Sequence, residues 1–428
     1  MSTLDVYREA VDYIESFSNS SIRKNYGKQK KDPSFFLERT KYFLGLLGNP
    51  EKGFRYIHVT GTAGKGTVTT MLHEVLIASG IKAGLFTSPY VTVPIEKIKV
   101  GQEYIDPKEF VALVECLKPF IAEAQKSSFG APSAFEIYFV LALLYFKQQE
   151  CTWVVLEVGL GGRYDATNVI AEPVVTVITN IDYDHTEILG KTLIEIASDK
   201  MGIIKKSGAF FTSEQRPQIL KMLRKQCVLV GAKFHSIDYQ QNYSLYNTEL
   251  VKSISVHLRF TDANIQKGIA NTRLPCRFEI IGHDPLIVLD GAHNRAKMRS
   301  TVFNVQKQKF KKIYIILAIA DTNKDKQKVF EPLFLLPQPI CLILTQVRSA
   351  DRRSVSPNLL LSMIKGHKRG KDVVEIIEDA GSALAYAEKL ASKDDMIIVT
   401  GSFFLAGELR KNWVSEEWIL KHHRSFKD

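Results

Sequence analysis

The chain is poor in cysteine, and none of its cysteines is paired in sequence. Five of them (Cys116, Cys151, Cys227, Cys276 and Cys341) stand singly, with no C-x-x-C pair and no neighbouring histidine cluster. Neither a disulfide framework nor a zinc site is expected, and the thiols read as reduced. Long apolar runs are also missing. The most apolar stretch, Ala134 to Phe146, contains Glu136 and falls well short of the roughly 20 residues a membrane helix needs. The N-terminal segment MSTLDVYREAVDYIESF carries acids among its apolar positions and has no basic segment leading into an apolar one. It reads as an amphipathic helix rather than a secretion signal. Internal repeats, low-complexity tracts and the basic-aromatic alternation of RNA-binding modules are absent. These absences argue against a membrane protein, a secreted scaffold and a nucleic-acid binder, and with reduced thiols the expected location is cytoplasmic.

What is present is ordinary globular material. The 428 residues are 45% hydrophobic and 24% charged, too long for one typical core and suited to two domains. The formal charge of +11 is spread along the chain, with short clusters at Arg23 to Lys31 and Lys307 to Lys312. Most of it reads as solvated surface, with some attraction for small polyanions such as nucleotides.

Strand-like runs rich in Val, Ile and Thr alternate with helical patterns, the mark of parallel sheets buried on both faces. In the first part strands are expected at Arg55 to Thr60, Lys82 to Thr87, Trp153 to Val158 and Val174 to Thr179, with helices from Thr67, Pro107 and Ser133. A second series runs through Leu286 to Leu289, Ile313 to Ile319, Ile340 to Leu344, Val373 to Ile376 and Met396 to Thr400, in a Rossmann-like order. The turn Gly282-His283-Asp284-Pro285 marks a boundary between them. The expected fold is therefore α/β: an N-terminal domain with a mostly parallel sheet over 1–282, which the loop described next makes an expected ATPase domain of P-loop type, and a C-terminal Rossmann-like α/β domain over 283–428.

The strongest local signal is RYIHVTGTAGKGTVTTMLHEVLIAS at 55–79, a strand, a glycine-rich loop and a helix. Such a loop lets backbone N–H groups approach phosphate oxygens, and the helix N-terminus adds partial positive charge. Ala63, Gly64, Lys65, Gly66 and Thr67 would hold the nucleotide, with Lys65 reaching the β- and γ-phosphates and Thr67 placing a hydroxyl on Mg²⁺. The ordinary spacing G-x-x-x-x-G-K-[ST] is not met, because Gly66 separates Lys65 from Thr67. Glu157 ends an apolar strand, where a parallel sheet puts a carboxylate beside this loop, and is expected to bind magnesium. His185, after the next strand, can face the same crevice.

The variant G-T-x-G-K-G-T resembles the Mur ligase superfamily. LEVGLGGRYDATNV at 156–169 and TNIDYDHTEILG at 179–190 resemble signature stretches of the folylpolyglutamate synthase and dihydrofolate synthase family. LFTSPYV (85–91), PSAFE (132–136), LPCRFEI (274–280), VLDGAHN (288–294) and GSF (401–403) follow in that family's order, so the likeness spans nearly the whole chain. It implies a cytoplasmic, monomeric, ATP-dependent ligase that adds L-glutamate to dihydropteroate or a reduced folate through an acyl phosphate.

The same resemblance implies two magnesium ions, one served by Thr67 and Ser88, the other by Glu157 and His185. Lys200 matches a lysine that is carbamylated, which would turn a cation into an anionic support for a metal. Asn242 matches an adenine contact, Arg277 a phosphate clamp at the linker, Asp290 an ATP contact from the second domain, and His293 a group close to the reacting atoms. Lys65, Lys200 and His293 are the catalytic candidates. Phe135, Glu136, Tyr164, Asp165 and Ala166 are the candidates for the acceptor. Four departures stand out: Ala63 for asparagine, Ser34-Phe35-Phe36 for Asp-Leu-Gly, a shortened stretch between Thr212 and Asn242, and Cys276 for the glycine before Arg277. Two other readings fit the motifs: a superfamily ligase acting on another acceptor, such as a peptidoglycan precursor, and an ATP-binding module without ligase chemistry.

Overall fold

A computed structural model describes residues 3–20, 33–206, 208–238, 243–320, 326–349, 352–367 and 369–427. The chain divides into two compact units, the first comprising Met1–Tyr90, Pro94–Arg273 and Leu420–Arg424, the second Val91–Val93, Leu274–Ile419 and Ser425–Asp428.

The first unit is built on an eight-stranded sheet. Its strands are β1 (Arg55–Thr60), β2 (Ala83–Phe86), β3 (Ile98–Val100), β4 (Glu103–Tyr104), β5 (Trp153–Glu157), β6 (Val175–Ile178), β7 (Ala209–Thr212) and β8 (Lys233–Ser236), in the order β4-β3-β2-β5-β1-β6-β7-β8. All neighbours from β2 to β8 pair in parallel, whereas β3 and β4 are antiparallel. Parallel strands bring their C-terminal ends to one edge, so the loops after β1, β2, β5 and β6 open together, the usual place for a ligand in such sheets. Strands β7 and β8 extend the sheet beyond the expected elements. Between Thr212 and residue 238 stand a helix, Pro217–Val230, and β8.

Helices cover this sheet. We label α1 (Thr3–Glu15), α2 (Ser34–Leu46), α3 (Lys65–Ala78), α4 (Pro107–Lys126), α5 (Ala134–Gln148), α6 (Leu193–Lys200), α7 (Pro217–Val230), α8 (Tyr243–His257) and α9 (Asp262–Asn271). Their starts follow local chemistry. Asp106 caps α4 by accepting from the Lys108 N–H at 2.6 Å, with Pro107 at the first helical position. Ser133 and Glu136 form a reciprocal capping box on α5. Helix α3 buries Val68, Leu72, Val75 and Leu76 against Ile57 and Val59 of β1 and Val155 of β5, each such side chain contributing on the order of 2 kcal/mol. Its outer side is backed by α8 and α9. At Gly268 of α9 a methyl group would lie 2.5 Å from the backbone N and Cα of Val75, so the close approach of the two helices requires glycine there.

The second unit holds a six-stranded sheet of β9 (Glu279–His283), β10 (Leu286–Leu289), β11 (Ile313–Leu317), β12 (Ile340–Leu344), β13 (Val373–Ile376) and β14 (Met396–Thr400), ordered β13-β12-β11-β14-β10-β9. Only β9 runs antiparallel. Helices α10 (Arg295–Gln306), α11 (Pro357–Ile364), α12 (Ala380–Leu390) and α13 (Phe403–Arg410) belong to it. The boundary expected at 282/283 falls earlier, between Arg273 and Leu274, because β9 is an edge strand of the second sheet and pairs with β10. Glu279 anchors that edge: its carboxylate accepts from the fully buried Arg410 at 2.8 Å and from the Cys276 N–H at 2.8 Å. No helix among the described residues is long and apolar enough to cross a membrane.

Because the Gly268 contact meets backbone rather than a movable side chain, Gly268→Ala should destabilise the chain by about 1 to 3 kcal/mol. Urea unfolding would read this as a lower midpoint at unchanged slope; an unaltered midpoint would show that α9 can shift freely on α3.

Candidate active site

The loop after β1 is shaped by its neighbours at the sheet edge. Gly61 has φ +147, and a Cβ there would lie 1.9 Å from the Thr179 hydroxyl, which excludes any side chain. Thr179 Oγ1 donates to the Ala63 carbonyl at 2.6 Å, while the Asn180 side-chain oxygen accepts from the Ala63 N–H at 2.8 Å. The Thr62 N–H donates to the Asn180 carbonyl at 2.9 Å. Two residues after β6 thus hold the phosphate loop from below. The Ala63 position needs only its backbone for these bonds, so the departure from asparagine leaves the cradle intact.

Helix α3 starts at Lys65, two residues before the expected Thr67, with Gly64 at the cap in a left-handed conformation and no side chain capping the helix. Gly66 and Thr67 therefore sit in its first turn, where unpaired N–H groups and the helix dipole favour an anion. Lys65 Nζ donates to the Gly61 carbonyl at 2.9 Å. So does Lys200 Nζ, at 3.1 Å, from the last residue of α6. Lys200 is buried; desolvation first, and the Lys65 charge second, push its pKa down to about 7, against the pull of Asp184, Asp199 and Asp165. Lys65 and Lys200 are thus brought together on one backbone oxygen.

Glu157, at the end of β5, is buried and points to the same loop. Its Oε2 accepts from the Ser88 N–H at 3.1 Å, and a Cβ on Gly66 would lie 3.3 Å from that oxygen. Ser88, Glu157 and the Gly66–Thr67 turn are therefore neighbours. A carboxylate beside two hydroxyl residues and a phosphate site is the donor chemistry of Mg²⁺, which takes few protein ligands and fills its shell with water and phosphate oxygens. No group of three His, Cys, Asp or Glu that could hold a metal occurs among the described residues. His185 adopts φ +48 and lies 3.8 Å from both Asp184 Oδ1 and Glu187 Oε1.

The segment after β5 is a buried polar knot. Asp165 accepts from the Leu160 N–H at 2.9 Å, the Thr167 N–H at 3.0 Å and the Thr167 hydroxyl at 2.5 Å. Burial nevertheless pushes its pKa up to about 6. Ala166 opens a buried turn, Ala166–Val169, and Tyr164 is half-buried beside it. Phe135 packs over the segment, its ring lying 2.6 Å from where a Cβ on Gly159 would be. Glu136 differs from the expectation of a substrate contact. Both of its oxygens are engaged, by Arg39 at 2.6 and 3.1 Å, Thr40 at 2.7 Å and Ser133 at 2.6 Å, so it works as a buried tie between α2 and α5.

Asn242 lies outside the described residues. Asn247 of α8 is described, and its side-chain oxygen comes within 2.5 Å of where a Cβ on Gly64 would stand, which puts an amide against the phosphate loop. Asn180, Thr179 and Asn247 escaped sequence reasoning. The only signal was their place directly after a strand or one helical turn into a helix.

In the second unit Asp290 follows β10 and is buried, accepting from Phe278 N at 2.8 Å, Ala292 N at 3.0 Å and Thr301 Oγ1 at 2.7 Å. Burial raises its pKa, opposed by the Thr301 bond and the Arg277 charge. The Arg277 guanidinium lies 4.4 Å from the centre of the Phe403 ring. Cys276 and Phe278 on either side both have left-handed φ, +54 and +49, and Cys276 thus occupies a conformation suited to glycine. His293 Nδ1 is 3.1 Å from the Gly291 carbonyl, and Nε2 is 3.1 Å from Lys297 Nζ. Donation by Nδ1 and acceptance by Nε2 satisfies both contacts.

A strand, an anion-binding loop, paired lysines and a carboxylate at the sheet edge define a nucleotide-dependent transferase or ligase site. The chain belongs to the Mur ligase family: the Mur ligase middle domain matches residues 59–281 and the Mur ligase glutamate ligase domain residues 276–403. Within that family it is similar to folylpolyglutamate and dihydrofolate synthases. A dihydrofolate synthase/folylpolyglutamate synthase of Bacillus subtilis is 29% identical over 417 residues, covering 88% of this chain and 94% of the relative. A folylpolyglutamate synthase of Mycobacterium tuberculosis complexed with ADP and AMPPCP superposes with TM-score 0.80 at 25% identity, over 88% of this chain and 95% of that one. A bifunctional folylpolyglutamate synthase/dihydrofolate synthase with Mn, AMPPNP and L-glutamate bound gives TM-score 0.74 at 25% identity, over 88% and 93%.

The Asn180 strut offers a direct check on the cradle. Asn180→Leu removes the acceptor of a buried N–H, a loss of about 1 to 3 kcal/mol. The KM for ATP should rise about tenfold while the fold, followed by circular dichroism, stays intact; an unchanged KM would show that the loop holds its shape without Asn180.

Proposed function

We propose that the chain joins L-glutamate to a folate-type carboxylic acid at the expense of ATP. The reaction goes through an acyl phosphate, and the protein works as a monomer on small molecules alone. The observation behind this reading is the convergence of the Lys65 and Lys200 amines on one carbonyl at the head of α3, which sets a phosphate-binding cation and an amine able to take up carbon dioxide side by side at the anion-binding loop. An oxygen of the acceptor carboxylate attacks the γ-phosphorus. A new P–O bond forms as the bond to the β–γ bridging oxygen breaks, and ADP leaves with that electron pair. The α-amine of glutamate then attacks the acyl carbon, phosphate departs, and the amine proton is released.

Both reactants of the first step are anions, and the chain's cations offset their repulsion. Lys65 neutralises the transferring phosphoryl group. Mg²⁺ held by Thr67 and Ser88, and a second ion held by Glu157 and His185, would supply further screening of the triphosphate. Asn242 is the adenine contact of this reading and Asn247 a support of the phosphate loop; Arg277 and Asp290 serve ATP and His293 the reacting groups. The acceptor is taken by the 158–169 segment, with Phe135, Tyr164, Asp165 and Ala166. The aromatic group on α2, where Phe35 lies 5.7 Å from Phe129 and 5.9 Å from Phe36, suits a flat heteroaromatic ring. Carbamylation of Lys200 fits its depressed pKa, because only the neutral amine attacks carbon dioxide. That form gains population as pH rises through about 7.

Purified chain given ATP, Mg²⁺ and glutamate should release phosphate only when a pteroate or folate acceptor is present; equal release without one would point to the ATP-binding module instead. Lys65→Ala and Glu157→Ala should each lower turnover about a hundredfold or more with folding intact, and normal turnover in either would remove that residue from the machinery. Protein equilibrated with carbon-13 bicarbonate should show a carbamate resonance that grows from pH 6 to about 8 and is missing in Lys200→Ala; no such resonance at any pH would leave Lys200 an ordinary ammonium.

A further inference from the structure

Strand β1 carries two polar side chains two residues apart, His58 and Thr60, both fully buried and, by the period of a strand, on the same face. Each reaches the segment that follows β5. Thr60 Oγ1 donates to the Gly161 carbonyl at 2.5 Å. His58 Nε2 lies 2.8 Å from Thr167 Oγ1, and that hydroxyl is 2.5 Å from Asp165 Oδ1.

The direction of these bonds follows from the donors available. The Asp165 carboxylate takes the Thr167 hydroxyl proton, which leaves the Thr167 oxygen to accept from imidazole, so the proton sits on Nε2 of His58. Desolvation keeps that ring neutral, its pKa pushed down to about 3. An imidazole in the middle of a buried strand between Ile57 and Val59 costs polar desolvation that an apolar residue would avoid. Its one bond among the described residues is to Thr167. Asp165 in turn holds Leu160 N with its other oxygen, so the relay fastens both arms of the 160–167 segment to the strand that leads directly into Gly61.

We propose that His58 and Thr60 are positioning residues that hold the acceptor-binding segment 158–169 in register with the phosphate loop, His58 acting through Thr167 on Asp165. The attacking carboxylate is thereby aligned with the γ-phosphate. The inference rests on the reading that this segment binds the acceptor. It assigns His58 no contact with either substrate, so ATP binding is independent of the relay and acceptor turnover is not.

The test compares His58→Phe, His58→Gln, Thr167→Val, Thr167→Ser and Asp165→Asn in the full chain, measuring kcat and KM for ATP and for the acceptor, with thermal unfolding alongside. His58→Phe and Thr167→Val should lower acceptor kcat/KM about tenfold at unchanged ATP KM. Thr167→Ser, which keeps the hydroxyl, and His58→Gln, which keeps an N–H near Nε2, should recover most of it. The double variant His58→Phe/Asp165→Asn should be no worse than Asp165→Asn alone. If Asp165→Asn lowers acceptor kcat/KM while folded His58→Phe and Thr167→Val do not, the relay is overturned and the acceptor reading stands. If none of the three alters it, both are overturned. Should His58→Phe fail to fold, the contrast between Thr167→Val and Thr167→Ser decides alone, a difference supporting the relay and equal values overturning it.

Discussion

Two lysine amines sharing one carbonyl oxygen is the constraint around which the first unit is organised. Lys65 and Lys200 both donate to Gly61, Lys200 from a buried position where its charge is disfavoured. Like charges drawn this close in a desolvated place are costly unless an anion joins them. The head of α3, with open N–H groups and no side-chain cap, is where that anion belongs. Lys65 and the head of α3 thus hold positive charge ready for a triphosphate, and transition-state stabilisation by fixed charge needs little rearrangement when the reaction occurs.

Everything around this point keeps it in place. Gly61 is fixed by the Thr179 hydroxyl beside it, Ala63 by Asn180, and α3 by close packing on Gly268. Glu157 enters from β5, next to β1 in the sheet, so the carboxylate proposed for the metal and the phosphate loop are set by neighbouring strands rather than by long loops. Rigid strands position groups more tightly than loops do. The 158–169 segment, proposed to take the acceptor, is tied to the same strand by His58 and Thr60, and on that proposal β1 is the common reference for both substrates.

Much of this was legible in the sequence. The apolar runs placed the strands that are buried on both faces, and the departure of the glycine-rich loop from ordinary spacing identified the class of ligase. Less legible were the elements whose role depends on a neighbour. Strand β7, Ala209–Thr212, is only four residues long, and β9 looks like the end of a first domain until its pairing with β10 is known. Glu136 resembled a substrate contact by its motif, yet it completes a capping box and meets Arg39, which lies ninety-seven residues away in sequence. Asn180 and Asn247 are single amides whose partners, Ala63 and Gly64, come from a distant loop. No spacing rule connects such pairs.

The central claim is that the paired lysines and the acceptor segment aim one γ-phosphate at one carboxylate. Turnover of an acceptor labelled with oxygen-18 in its carboxylate measures this directly. The account predicts one labelled oxygen transferred to inorganic phosphate for each amide bond formed. Phosphate free of the label would contradict it.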